Sequence, residues 1–169
     1  LDAVARDARE WDEWFGRSID VGGLERERNI LRYRPASTQV RGCADAKLVD
    51  VARVVAAGLL AAGDNISVCL DPSLGEGLGR ALRSVGVAVT TASDEDWYAS
   101  LGASRVRLVG GNPSRAADEA DGDPDLALWA NEVTSAPQVE LLPFLREQSV
   151  SMTAHRFGNP DAGVLSVRL

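Results

Sequence analysis

The stretch that decides the fold lies between Ala46 and Thr91. It reads Lys47-Leu-Val-Asp-Val-Ala-Arg-Val-Val-Ala-Ala-Gly-Leu-Leu-Ala-Ala-Gly63, then Ile66-Ser-Val-Cys-Leu70, a second helical pattern, and Val87-Ala-Val-Thr-Thr91. Leu48, Val51, Ala52, Val55, Leu59 and Ala62 recur at offsets of three and four, the period of a helix with one apolar stripe. Val49, Val54 and Leu60 widen the stripe until only Lys47, Asp50 and Arg53 suit water. Such a helix has to be covered over most of its circumference. Gly63 reads as its left-handed stop, and Asp64-Asn65 as the turn into a short β run. Helix, strand, helix, strand with short links predicts an α/β, Rossmann-like, three-layer domain with a mainly parallel sheet.

Upstream, Asp2 to Arg17 forms a helical pattern with Val4, Ala8, Trp11, Trp14 and Phe15 along one face. Two Trp and a Phe within five residues either pack on the domain's own core or dock on a neighbouring domain. Gly16 and Gly22-Gly23 break that helix, which divides the chain into an N-terminal helix and linker, 1–24, and an α/β domain, 25–169. In Glu25-Arg-Glu-Arg-Asn-Ile-Leu-Arg-Tyr-Arg-Pro35, read as a strand, Arg28, Ile30, Arg32 and Arg34 face one way while Asn29, Leu31 and Tyr33 face the other. Pro35 suits an edge. The arginines either guard that edge against aggregation or meet an acidic partner surface. Gln39 to Cys43 offers a further strand into the central unit.

Downstream, Asp71-Pro72-Ser73 reads as a helix start, with Leu74, Leu78, Ala81, Leu82 and Val85 inward. Gly75-Glu-Gly77-Leu-Gly79 fails the dinucleotide fingerprint, because Arg80 stands where the third glycine belongs. Ser93 is the natural cap of a short acidic helix carrying Trp97 and Tyr98, and Arg105 to Val109 alternates as a strand. Gly110-Gly111-Asn112 then opens a helix, which makes it the loop best placed for an anion, although acidic residues crowd the sequence after it. Leu126 to Trp129 is a strand, Val139 to Leu145 a helical turn broken by Pro143, and Val150 to Ala154 the last clear strand of the sheet. Val164 to Val167 reads as a terminal strand.

At 169 residues, 45% hydrophobic and 25% charged, the chain suits one globular domain rather than a disordered one. Lys and Arg number 18 against 25 Asp and Glu, and 18 − 25 = −7 argues against sequence-independent binding to nucleic acid or an anionic membrane. No uncharged apolar run reaches the length of a membrane span, and no leader precedes the first helix. Cys43 and Cys69 lack metal or redox spacing and read as free, buried thiols of a cytoplasmic protein. The start at Leu1, inside a helical pattern, reads as a piece of something longer.

Chemistry-bearing motifs are missing. One His precludes a multi-His metal site within the chain, and there is no Gly-x-Ser-x-Gly elbow, P-loop or His-Glu-x-x-His. His155 has no orienting carboxylate among its sequence neighbours and is taken as structural or interfacial. No residue is therefore assigned as catalytic, metal-binding or, beyond Gly110, Gly111 and Asn112 as a weak anion loop, cofactor-binding. Trp11, Trp14, Phe15, Arg28, Arg32, Arg34 and His155 stand as interface candidates.

Two segments resemble a known family. Arg28, Asn29, Arg32, Tyr33 and Pro35 make an Arg-Asn-x-x-Arg-Tyr-x-Pro element, and Val139-Glu-Leu-Leu-Pro-Phe-Leu-Arg-Glu-Gln-Ser-Val-Ser-Met-Thr-Ala-His-Arg-Phe-Gly158 makes a longer one. Both are similar to the carboxy-terminal part of the actinobacterial bifunctional proline utilisation A enzymes, and the likeness covers essentially the whole chain in order. Those enzymes join a FAD-dependent proline dehydrogenase to an NAD-dependent aldehyde dehydrogenase that oxidises glutamate semialdehyde, formed from pyrroline-5-carboxylate. The resemblance implies an extra domain with the nucleotide-binding fold of aldehyde dehydrogenases but without their working residues. Such a domain would cover the passage between the active sites, where substrate is channelled, and contribute to assembly. Neither the nucleophile motif around Cys43 or Cys69 nor a Glu-Leu-Gly-Gly general-base motif is present. The implied partner is the remainder of the parent chain, with homo-oligomerisation open. The alternatives are an independent nucleotide-binding enzyme using the Gly110-Gly111-Asn112 loop, or a self-association module.

Overall fold

The structure, a computed structural model, describes residues 2–24, 26–156, 159, 160, 163, 166 and 167. Helix α1 (Asp2–Glu10) runs into a π-helical turn (Trp11–Phe15), followed by β1 (Ile19–Asp20), β2 (Glu27–Pro35) and β3 (Thr38–Gly42). Then come α2 (Leu48–Ala62), β4 (Ile66–Leu70), α3 (Glu76–Ser84), β5 (Ala88–Thr91), α4 (Asp94–Ala99), β6 (Arg105–Val109), α5 (Pro113–Glu119) and β7 (Ala127–Trp129). The chain continues through α6 (Pro137–Glu140), a 3₁₀ turn (Leu142–Phe144), β8 (Leu145–Thr153), β9 (His155–Arg156) and β10 (Asn159–Pro160). The expected terminal strand at 164–167 lies largely outside the described residues.

Strands β3 to β7 form a five-stranded, wholly parallel sheet in the order β5-β4-β3-β6-β7. Apolar side chains fill both faces. Val40, Val68 and Val109 meet α2, α3 and Phe144, while Cys69, Val106 and Leu108 meet Trp97, Tyr98 and Ala116 of α4 and α5. Helices on both faces of a parallel sheet make the Rossmann-like three-layer arrangement that the β/α alternation predicts. The further strand read at Gln39 to Cys43 is β3, Thr38–Gly42, and it is the centre of the sheet.

The sequence reading needs four corrections. First, β8 is not a strand of this sheet. It pairs antiparallel with β2 from Pro35↔Leu145 to Glu27↔Thr153, and with β1 makes a separate three-stranded ribbon. Residue Pro35 sits within that ladder, and the long free edge belongs to β8, while the other side of β2 carries only two-residue β1. Second, the buried stripe of α2 is Val51, Val54, Val55, Ala57, Gly58, Ala61 and Ala62; Leu48, Val49 and Leu59 face solvent. The close approach of Phe144 to Gly58 fixes that rotation. Third, α1 turns Ala3, Asp7 and Trp11 inward rather than Val4 and Ala8, because the carboxylate of Asp7 reaches Arg53 on α2 at 2.6 Å. Fourth, Asp71 caps a 3₁₀ turn, and α3 begins only after Gly75, with Val85 exposed.

Local signals held elsewhere. Gly63 stops α2 at φ 55, Ser93 caps α4 by accepting from the Asp96 amide, and Asn112 caps α5 by accepting from Ser114 and Arg115. Among the described residues no helix is long and apolar enough to cross a membrane.

Candidate functional site

Strand β3 comes first in the chain among the strands of the parallel sheet, yet lies mid-sheet. The chain builds β4 and β5 to one side and then β6 and β7 to the other, so the loops after β3 and β6 diverge. Such a switch point at the carboxyl edge is where parallel sheets hold ligands. An open cleft of about 440 Å³ lies there, between Asp45–Lys47, Gly110-Gly111 and Asn131–Val133. The Gly110-Gly111-Asn112 loop is thus where the sequence places it, ahead of α5. Gly110 and Gly111 adopt φ of 72° and 73°, a region glycine enters without steric cost. At Gly111 a Cβ would stand 2.5 Å from Cys43 Sγ and 2.7 Å from Tyr98 Oη.

The donors a phosphate would need are already engaged. The Gly111 amide donates to Asp45 Oδ1 at 2.6 Å, and the Asn112 amide to Tyr98 Oη at 2.8 Å. The Ser114 and Arg115 amides donate to Asn112 Oδ1, and the Ala44 amide to Asp94 Oδ2. Asp45, Asp50 and Glu132 line the cleft against a single cation, Lys47. The chain's own Asp45 carboxylate thus sits on the Gly111 amide, and the carboxylates around the cleft disfavour an anion there. Sequence reasoning found the loop and missed Asp45, whose role depends on a contact between distant segments.

Beside the cleft sits a buried charge cluster. Arg41, fully buried in β3, donates to Asp94 Oδ1 at 2.6 Å, the Ala92 carbonyl at 3.0 Å and Cys69 Sγ at 3.1 Å, with Asp71 at 3.7 Å. Its guanidinium also lies 5.3 Å from the Trp97 ring centre. Burial, and secondly the charge of Asp94, pushes the Cys43 thiol up to about 12. At neutral pH Cys43 is a thiol, not a nucleophilic thiolate. The opposite face of the sheet holds Arg107, paired with Glu140 at 2.9 Å, both fully buried. Its Nη1 also donates to the carbonyls of Leu108 and Asn131. These braces were missed although they leave a signal: an arginine at an interior position of each strand, Arg41 in β3 and Arg107 in β6, next to apolar neighbours.

The interface candidates separate. Phe15 is buried, edge-on to Tyr33 at 4.8 Å, so the own-core alternative holds for it. Trp11 is half-buried against the same core, and Trp14 is exposed. Arg28 donates to the Val167 carbonyl and Arg32 to Gln148 Oε1, while Arg34 is exposed. The backbone of His155 pairs with Pro160; its side chain lies outside the described residues. The fold gathers the arginines on the ribbon and leaves Trp11 and Trp14 on the N-terminal turn.

No family model matches the chain, and no curated protein does. Solved structures match. A structure of Proline Utilization A (PutA) from Corynebacterium freiburgense superimposes with a TM-score of 0.58 and 25% identity over 93% of this chain. The chain spans only 14% of that protein's length. It is therefore similar, over nearly all its residues, to a domain-sized part of Proline Utilization A.

Proposed function

We propose that this chain is a non-catalytic, C-terminal domain of an actinobacterial bifunctional proline-catabolic oxidoreductase, supporting assembly and covering the passage between its active sites. The observation that carries the reading is a complete parallel sheet whose switch-point cleft is open but has its loop amide taken from within, by Asp45 on Gly111. A domain that retains the framework of a nucleotide site and engages its loop amide internally serves as a shape rather than a catalyst. Similarity to a small part of Proline Utilization A supports the context. In this reading FAD and NAD belong to the proline dehydrogenase and aldehyde dehydrogenase of the parent, in the cytoplasm. Residues 1–24 link to that parent, and Trp11, Trp14, Arg28, Arg32, Arg34 and His155 face it.

The test is deletion of residues 25–169 from the full-length enzyme. Proline-driven flavin reduction and aldehyde oxidation each persist, while coupled conversion of proline to glutamate acquires a lag or the enzyme misassembles. Normal assembly with lag-free coupled turnover would sink the proposal. Calorimetry of this chain with NAD, FAD and ATP is expected to give no saturable heat; saturable binding would return the cleft to a working nucleotide site.

A further inference from the structure

Opposed residues of an antiparallel ladder send their side chains to the same face. The β2–β8 register places Arg34 opposite Arg146, Arg32 opposite Gln148 and Arg28 opposite Met152 on one face of the ribbon. The ladder's two carboxylates, Glu27 and Glu147, leave on the other face, opposite Thr153 and Tyr33. Across β2 and β8 that face carries four arginines and no carboxylate, in a chain whose net charge is −7; Ile30 is buried between Arg28 and Arg32, and the carboxylate of the face is Asp20 on β1, opposite Ile30 at the Arg28 end.

Arg34 and Arg146 are both exposed, and neither has a hydrogen-bond or ion-pair partner among the described residues. Like charges directly opposed across a ladder destabilise it. A third guanidinium adds to them. Burial, and then the charge of Arg146, lowers the proton affinity of Arg105 at the start of β6. Arg32 donates to Gln148 Oε1 at 2.7 Å, an acceptor that fixes its direction without cancelling its charge. At the Arg34–Arg146 end the face has no compensating charge among the described residues, and arriving carboxylates would relieve it.

We propose that the arginine face of the ribbon is a docking surface for a carboxylate-rich protein segment, held by bidentate guanidinium–carboxylate pairs centred on Arg34 and Arg146. The proposal rests on the reading of the chain as an accessory domain, since it supplies the contact by which such a domain would hold its enzyme. Nucleic acid is the poorer fit, because the acidic remainder of the chain repels a polyanion that extends beyond the ribbon.

The probe is a fluorescein-labelled peptide of consecutive glutamates, followed by anisotropy at about 0.1 M salt, where charges beyond ~10 Å are screened. The chain binds it saturably, binding disappears at about 1 M salt, and Arg34→Gln/Arg146→Gln weakens it about tenfold or more. Arg80→Gln, at an exposed position of α3, leaves it unchanged. Arg34→Glu weakens binding while raising the thermal midpoint, because it turns a repulsive pair into an attractive one. A wild-type chain that ignores the peptide, a double variant that binds as wild type, or tighter binding of a single-stranded oligonucleotide each overturns the proposal. The peptide result is independent of the calorimetry at Asp45, so either reading can fail while the other stands.

Discussion

At the scale of single residues, two of the sheet's three inner strands, β3 and β6, each carry a fully buried arginine, and their partners set the expected losses. Glu140 Oε1 accepts from Arg107 Nη2 and from the Thr134 amide, so one carboxylate ties β6 to the loop before α6. Removing one member of a buried pair strands the other charge, which costs about 3–5 kcal/mol, whereas replacing both with apolar groups is nearly neutral. Glu140→Leu is therefore expected to lose that much in guanidinium unfolding, and Arg107→Met/Glu140→Leu to recover most of it. Equal losses in single and double variants would refute the ion-pair account. Asp71 gives the pH dependence. Burial pushes its carboxyl up, but the Ser73 hydroxyl and amide, the Asp94 amide and Arg41 outweigh burial and hold it below the usual carboxylate range. Its contribution is present above the unfolded value of about 3.9 and is lost as pH falls through the lower folded value. Asp71→Asn should flatten the acid limb of the stability curve, read as denaturant midpoints from neutral pH down to about pH 2.

At the scale of elements, α2 shows what the sequence reveals and what it hides. Its existence, its stop at Gly63 and the strand after it are all legible, because period, turn residue and β run are local. The azimuth of its buried face is not. A helix apolar on nearly every side offers little contrast, and Phe144, brought from far along the chain, decides which side is covered. A Cβ at Gly58 would come within 2.7 Å of that fully buried ring. Gly58→Ala should therefore destabilise by up to about 2 kcal/mol, since overpacking of about 1–3 is set against a gain in helix propensity of about 1. Gly77 in α3 has open space around its would-be Cβ, so Gly77→Ala should stabilise by up to about 1 kcal/mol. Denaturant melts of both variants check the opposite signs. The cleft divides in the same way. A glycine pair between strand and helix is a local pattern, so the Gly110-Gly111-Asn112 loop was readable, whereas Asp45, 66 residues from Gly111, was not. The inward face of α1 was misplaced for a related reason. Hydrophobicity alone excludes Asp7, which is buried only because Arg53 stands opposite it.

At the scale of the whole molecule, sheet and ribbon differ in how much each buries. The central strands β3, β4 and β6 pair on both sides and lie under helices on both faces, with most of their side chains buried. In the ribbon, Ile30 of β2 and Leu145 of β8 are buried, while most of the outer strand from Arg146 onward is exposed and pairs on one side only. Backbone hydrogen bonds that are solvent-exposed and backed by little apolar contact open by local fluctuations, whereas bonds in the core open only with the whole domain. Native-state hydrogen exchange should therefore find two stabilities in this chain. The bonded amides of β8 beyond Arg146 should exchange about a hundredfold or more faster than those of Val40, Val68 and Leu108, a separation of about 3 kcal/mol or more. A docking element has reason to be the less stable part, because its missing contacts are those its partner supplies. The same amides should then gain protection in the full-length enzyme, while those of the central sheet change little. Uniform exchange free energies across ribbon and sheet in the isolated chain would make the ribbon an integral part of the core and remove its case as a docking arm.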